Sequence, residues 1–233
     1  MLEVNIMKEF LINLIKLFLS IVVVLFIEEY FFKVVGLVGI ELSNTPLIRL
    51  IIYSLLGIII YIIYGEEIRK AFSKYQNKLG SNLLYTIISY IIIFIAMMLL
   101  NYILKLLATN LNLTYTGLNF SNIFNEAFDL NLMIVFIVDV LIIPFVKVIV
   151  FVLGINNLIK GQSALIVSGL CYALYTGFML GGALGNIFFD IIDEMVLFIL
   201  LSYLYRKNDN IMYSILTLIF YGLFSSLIIT KLA

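Results

Sequence analysis

Five charged residues lie inside long apolar stretches of this 233-residue chain, where their side chains could carry chemistry: Asp139, Lys147, Asp190, Asp193 and Glu194. A charge at the centre of a membrane helix costs about 2.5–3.5 kcal/mol, so each of these residues needs a partner or a function that offsets the cost. The four carboxyls could form a structural pocket in which they are protonated or bonded to water. They could equally bind a ligand or an ion, or activate a water molecule for hydrolysis.

The scarcity of histidine and cysteine excludes most other kinds of catalytic and metal-binding site. The chain has no histidine and one cysteine, Cys171. Without histidine there is no Ser–His or Cys–His nucleophile pair, and a zinc site of the thermolysin type cannot form. A single cysteine allows no intramolecular disulfide, CxxC redox pair or thiolate metal cage. The sequence therefore predicts neither a metal site nor a cofactor.

The overall composition predicts that the partner of this chain is a lipid bilayer. Hydrophobic residues make up 64% of the sequence and charged residues 12%, and the mean hydropathy is +1.18. Soluble domains carry about 25% charged residues, so this chain has too little polar surface to face water. The net charge of zero argues against nucleic acid binding, which requires a basic surface.

The elements that must position the charged residues are membrane helices, because a helix closes its own backbone hydrogen bonds in lipid and crosses the bilayer with about 20 residues. The sequence predicts an all-α, polytopic membrane helix bundle with about seven transmembrane helices. An eighth is expected if a broken helix forms near Gly181–Gly185. The seven apolar runs are 10–27, 47–64, 83–108, 131–153, 163–180, 187–205 and 211–230.

The distribution of Lys and Arg predicts the orientation, because cytoplasmic loops carry an excess of both residues. With a cytoplasmic N-terminus, the outer segments hold only Lys33 and Lys231. The inner segments then hold Lys8, Arg69, Lys70, Lys74, Lys78, Lys160, Arg206 and Lys207. The sequence therefore predicts a multi-pass protein of the cell membrane with its N-terminus in the cytoplasm.

The depth of each charged residue along its helix divides the five residues into an outer group and an inner one. In this orientation Asp139, Asp190, Asp193 and Glu194 lie below the outer ends of their helices and could share one outer-leaflet pocket. Lys147 lies nearer the inner end of its helix, where a long side chain can extend to the interface.

Other polar and small residues have structural interpretations. Lys16, Arg49 and Lys105 lie near span ends and are expected to extend their side chains to the interface. Residues 65–82 are expected to form a solvated amphipathic connector. The glycines near the fifth span are expected to allow close helix packing; they are Gly177, Gly181, Gly182 and Gly185.

Three windows in the second half of the chain follow a shared frame. Pro144 and Phe151 fall in the first window, Ser168 and Tyr172 in the second, and the turn Tyr203–Ile211 precedes the third. On these residues the segment 122–230 resembles the CAAX protease and bacteriocin-processing family (CPBP, or Abi) of glutamate-type intramembrane proteases. The resemblance implies a CAAX-protease-like core in 122–230, preceded by N-terminal transmembrane helices in 1–121, within one membrane domain spanning 1–233.

This chain departs from the family at each catalytic position. Lys147 and Val148 replace the two glutamates, and Val152 replaces the arginine. Thr176 and Leu218 replace the histidines, Gly222 replaces the asparagine, and Tyr172 retains the aromatic position. Valine, leucine and glycine cannot activate water. The resemblance therefore implies a catalytically inactive relative: a scaffold, regulator or bacteriocin-immunity-type protein that binds a membrane protein or peptide.

Two functions of other classes remain open. Asp139 with Asp190 or Asp193 could form an intramembrane aspartyl protease dyad, in which two carboxyls share a proton, although no GxGD-like motif surrounds them. The outer acids could instead serve a small ion-coupled carrier. The lack of an internal repeat weighs against that function, because many transporters are built from repeated halves.

Overall fold

Within the residues that the computed structural model describes, seven helices overlap the seven apolar runs. The structure describes residues 2–27, 46–111, 113, 133–134, 136–180 and 184–232. Lys33, Gly181, Gly182 and the boundary near 122 lie outside these ranges. The helices are α1 (Leu2–Leu25), α2 (Pro46–Gln76), α3 (Leu79–Asn110), α4 (Ile137–Leu158), α5 (Ser163–Leu180), α6 (Leu184–Asn208) and α7 (Met212–Leu232). The described ranges contain no strand, which confirms the all-α prediction.

The distribution of polar and apolar side chains is that of a membrane protein. By length and composition, α2, α3 and α4 can each cross a membrane. Large apolar side chains face outward: Phe18, Ile62 and Leu174 are between 69% and 74% exposed. The buried polar side chains are Ser20, Thr86, Ser89, Ser168, Asp193, Ser202, Asn210, Ser214 and Thr217. An outer surface this apolar requires lipid around it.

Helix α4 lies at the centre of the bundle and packs against α1, α2, α5, α6 and α7. In its most apolar 18-residue stretch 61% of the residues are buried, against 28% for α2 and for α3. Two segments of α4, Ile137–Ile142 and Ile149–Gly154, are π-helical. The Phe151 carbonyl in the second segment accepts a hydrogen bond from the Ser168 hydroxyl of α5. π-Helical turns are rare and occur frequently at functional sites. The side chains of α4 are therefore candidates for a functional role.

Helices α5 and α6 make the most extensive helix–helix contact. Gly169 permits it, because a Cβ at this position would lie 2.5 Å from Ile199 Cγ1 and 2.6 Å from the Met195 carbonyl oxygen. Gly177, two turns later, approaches Ile191 in the same way, with a Cβ-to-Cδ1 distance of 2.8 Å. Small residues at such spacing let membrane helices approach each other.

The segment between α2 and α3 differs from the expected connector. α2 continues as a helix to Gln76, and only a two-residue turn separates it from α3 at Leu79. Tertiary contacts fix this extension, because the Tyr75 and Thr86 hydroxyls are 2.9 Å apart and Lys74 Nζ lies 3.2 Å from Asp209 Oδ2. α2 thus continues beyond its apolar part as one helix, and charged residues lie on this extension.

The turns after α2, α4 and α6 meet at one end of the bundle. Asn210, after α6, donates a hydrogen bond of 2.9 Å from Nδ2 to the Ala71 carbonyl of α2. Arg206, in the last turn of α6, donates to the Gly161 carbonyl between α4 and α5. Gly161 has a φ of 94°, a left-handed conformation that favours glycine. We call this the polar end of the bundle.

Candidate functional site

A salt bridge joins α2 to the centre of the bundle. Arg49 Nη2 lies 3.0 Å from Asp139 Oδ1, and both side chains are about one-third exposed. Arg49 occupies the first turn of α2 and Asp139 the first π-helical turn of α4. The structure therefore gives Arg49 an ion-pair partner, whereas the sequence suggested only extension to the interface. Opposite charges at similar depths of two spans were the signal available in the sequence.

Lys147 points into the bundle rather than toward the inner interface. Its Nζ lies 5.5 Å from the ring centroid of Tyr172 and 5.8 Å from that of Tyr175, both on α5. An ammonium within about 6 Å of an aromatic face is stabilised by the ring quadrupole, more strongly where water is excluded. The rings of Tyr172 and Tyr175 thus form a binding site for the Lys147 ammonium group, which we call the tyrosine seat.

Two acids of α6 belong to the electrostatic surroundings of this lysine. Glu194 interacts electrostatically with Lys147 and with Asp190, one turn earlier on α6. Asp139 also interacts electrostatically with Lys147. Asp193 is buried, with 1% of its surface exposed. Lys147 thus interacts electrostatically with carboxyls of both α4 and α6, and four of the five charged residues named from the sequence form one electrostatic network.

Aromatic stacking fixes the tyrosine seat. The Tyr172 ring stacks on Phe198 of α6, with centroids 3.5 Å apart and an interplanar angle of 16°. Phe151 of α4 contacts Tyr175 with centroids 5.0 Å apart. Thr176 is a polar neighbour of the Tyr172 hydroxyl. Tyr175 was not singled out from the sequence, although it lies one turn after Cys171 and three residues after Tyr172 on the same helix.

The other positions of the family frame are packed as apolar core. Val148 and Val152 on α4 are fully buried, and Leu218 on α7 is 7% exposed. Gly222 is buried one turn further along α7. α7 packs against the segment Ile143–Val148, which contains Lys147. These residues pack in the core around Lys147 and carry no group that could transfer a proton.

The contacts of this arrangement are ion pairs and cation–aromatic contacts. The Asp139 carboxyl accepts a hydrogen bond from the Arg49 guanidinium, whereas an aspartyl dyad requires two neighbouring carboxyls that share a proton. The Lys147 ammonium contacts the rings of Tyr172 and Tyr175. Within the described part of the chain, no three His, Cys, Asp or Glu side chains are grouped so that they could hold a metal ion.

Comparisons of the chain with protein-family models, with curated proteins and with solved structures gave no match.

Proposed function

We propose that this protein is a non-catalytic, multi-pass membrane scaffold with a CAAX-protease-like core, which binds a transmembrane helix or peptide of a partner. The observation that carries the proposal is the position of Lys147. In the proposed frame this lysine stands where a glutamate would activate water, and its ammonium is seated on Tyr172 and Tyr175. A cation held in this way cannot act as the general base of a hydrolase.

An apolar groove next to the tyrosine seat supports the binding role. It has a volume of about 280 Å³ and lies between α1, α4 and α5. Its lining residues are Ile21, Leu25, Phe151, Cys171, Leu174, Tyr175 and Phe178. Leu174 is 73% exposed on the outer surface of this groove. A partner helix in the groove would contact Tyr175, and through that ring the charged network.

The basic residues at the polar end of the bundle support a cytoplasmic location for that end. Seven basic residues lie there: Arg69, Lys70, Lys74, Lys78, Lys160, Arg206 and Lys207. Under the positive-inside rule this end belongs in the cytoplasm, together with the N-terminus of α1, and seven spans follow in the cell membrane. A cysteine introduced at position 70 should react with a membrane-impermeant maleimide only in opened cells. Reaction in intact cells would reverse the proposed orientation.

Catalysis is tested with the reconstituted full chain and a fluorogenic transmembrane peptide. We expect no cleavage above that of empty liposomes. The Lys147→Met variant is the matched control, because a contaminating protease would cleave equally in both preparations. Cleavage that the unmodified chain supports and Lys147→Met loses would refute the non-catalytic assignment.

Partner binding is tested with a photo-crosslinking amino acid in place of Leu174. The control position is Ile62, which is 74% exposed on α2 and lies outside the groove. We expect a discrete adduct from position 174 in native membranes, none from position 62, and a weaker adduct at 174 when Lys147→Met is added. Equal adducts from both positions would indicate random lipid-phase collisions and contradict the proposal.

A further inference from the structure

The extension of α2 beyond its apolar part carries a polar concavity that is separate from the charged network. The extension follows Gly65 and remains helical to Gln76, a length of roughly 17 Å at 1.5 Å per residue. The concavity has a volume of about 640 Å³. Its lining residues are Glu66, Arg69, Lys70, Ser73, Lys74 and Asn77, all exposed.

The spacing of these residues places the donors on one side of the helix. Arg69, Ser73 and Asn77 follow each other at intervals of four residues, and Lys70 and Lys74 form a parallel row. Three cations and one carboxylate line the concavity. Because Lys74 also pairs with the Asp209 carboxylate, the formal charge of the group is +1. Hydroxyl and amide groups accompany the cations, as they do in sites that bind phosphate oxygens.

The cations are partly oriented by the protein itself. Arg69 Nε donates to the Gly65 carbonyl at 3.2 Å, which accounts for one of the five guanidinium N–H donors. Lys74 Nζ binds the main-chain carbonyl and the carboxylate of Asp209, at 3.1 and 3.2 Å. These contacts attach the concavity to the turn after α6.

We propose that this concavity binds a phosphate group, carried by an anionic lipid headgroup or by a soluble phosphate. Its position next to the apolar part of α2 is the depth at which lipid phosphates lie, and juxtamembrane basic residues attract anionic headgroups. The proposal is independent of the partner-binding function, because none of these residues lines the groove beside Tyr175.

The test compares two double variants that remove the same amount of positive charge, one inside and one outside the concavity. Arg69→Gln/Lys70→Gln changes the concavity, and Lys8→Gln/Lys160→Gln changes exposed lysines outside it. Native mass spectrometry of the detergent-solubilised full chain gives the affinity for phosphatidylglycerol and, as a zwitterionic reference, phosphatidylcholine. We expect the first pair to weaken phosphatidylglycerol binding roughly 25-fold, about five-fold per basic residue, and the second pair to leave it within about two-fold.

A measurement with inorganic phosphate distinguishes a lipid headgroup from a soluble phosphate as the ligand. If phosphate alone binds the unmodified chain and not the first variant, the ligand is soluble; if phosphatidylglycerol binds and phosphate does not displace it, the ligand is a lipid. Should the first variant fail to fold, Ser73→Ala/Asn77→Ala keeps the charge and should still weaken binding several-fold. Equal losses in both charge variants, or binding of neither ligand, would overturn the proposal.

Discussion

Replacing Gly169 with alanine should separate α5 from α6 and destabilise the protein. The added Cβ would lie 2.6 Å from the Met195 carbonyl oxygen, and an ordinary contact begins at 3.4 Å. The helices would therefore have to move apart by about 0.8 Å at this point. The neighbouring Ile199 side chain can rotate away, but a main-chain carbonyl cannot.

The expected magnitude follows from two opposing effects. Overpacking a closely packed contact costs about 1–3 kcal/mol. Alanine is favoured over glycine in a helix by about 0.5–1 kcal/mol, which offsets part of that cost. We expect Gly169→Ala to lower the free energy of unfolding by about 1–2 kcal/mol, or the midpoint Tm by roughly 2–8 °C for a chain of this size.

The assay is thermal unfolding of the purified protein in one mild detergent, with Gly80→Ala as the matched control. A Cβ at Gly80 in α3 would meet no atom within 4 Å, so that variant should be neutral or slightly stabilised. Gly177→Ala should fall between the two, because its nearest contact is the terminal methyl group of Ile191. If Gly169→Ala unfolds at the same temperature as Gly80→Ala, the close approach of α5 and α6 is refuted.

Three further variants test the charged network and the polar end. Asp139→Leu should cost about 1–3 kcal/mol because it leaves Arg49 without its carboxylate, and adding Arg49→Leu should recover most of the loss in a double-mutant cycle. Lys147→Met should cost about 1–2 kcal/mol from the lost aromatic contacts, and Glu194→Gln should be less costly in that background than alone; additive losses would contradict their coupling. Asn210→Ala should cost about 1–2 kcal/mol by chemical denaturation, because its Oδ1 accepts the first main-chain N–H of α7 at 2.9 Å; an unchanged midpoint would exclude this capping role.

The positions of the helices could be predicted because lipid leaves the backbone few alternatives. Each apolar run coincides with a helix, since unpaired peptide groups are too costly in hydrocarbon. The end of α2 could not be predicted in the same way. Its last turns are polar, and they remain helical through tertiary contacts such as that of Tyr75 with Thr86. Local composition does not reveal such contacts.

The charged residues of the site could be found from the sequence, but their partners could not. The cost of burying a charge singled out Asp139 and Lys147, while the pairing of Asp139 with Arg49 depends on which helices are neighbours. The contact between α5 and α6 had a visible signal that the sequence interpretation used only in part. Gly169, Ala173 and Gly177 recur every four residues, and this spacing presents one small-residue face to α6.

The same helix, α5, connects the packing of the bundle to its proposed function. The close approach at Gly169 brings α6 near enough for Phe198 to stack on Tyr172, and Tyr172 is one of the two rings that seat Lys147. The small residues of α5 therefore hold α6 against the rings that contact Lys147, and the proposed binding of a partner helix beside Tyr175 depends on this packing.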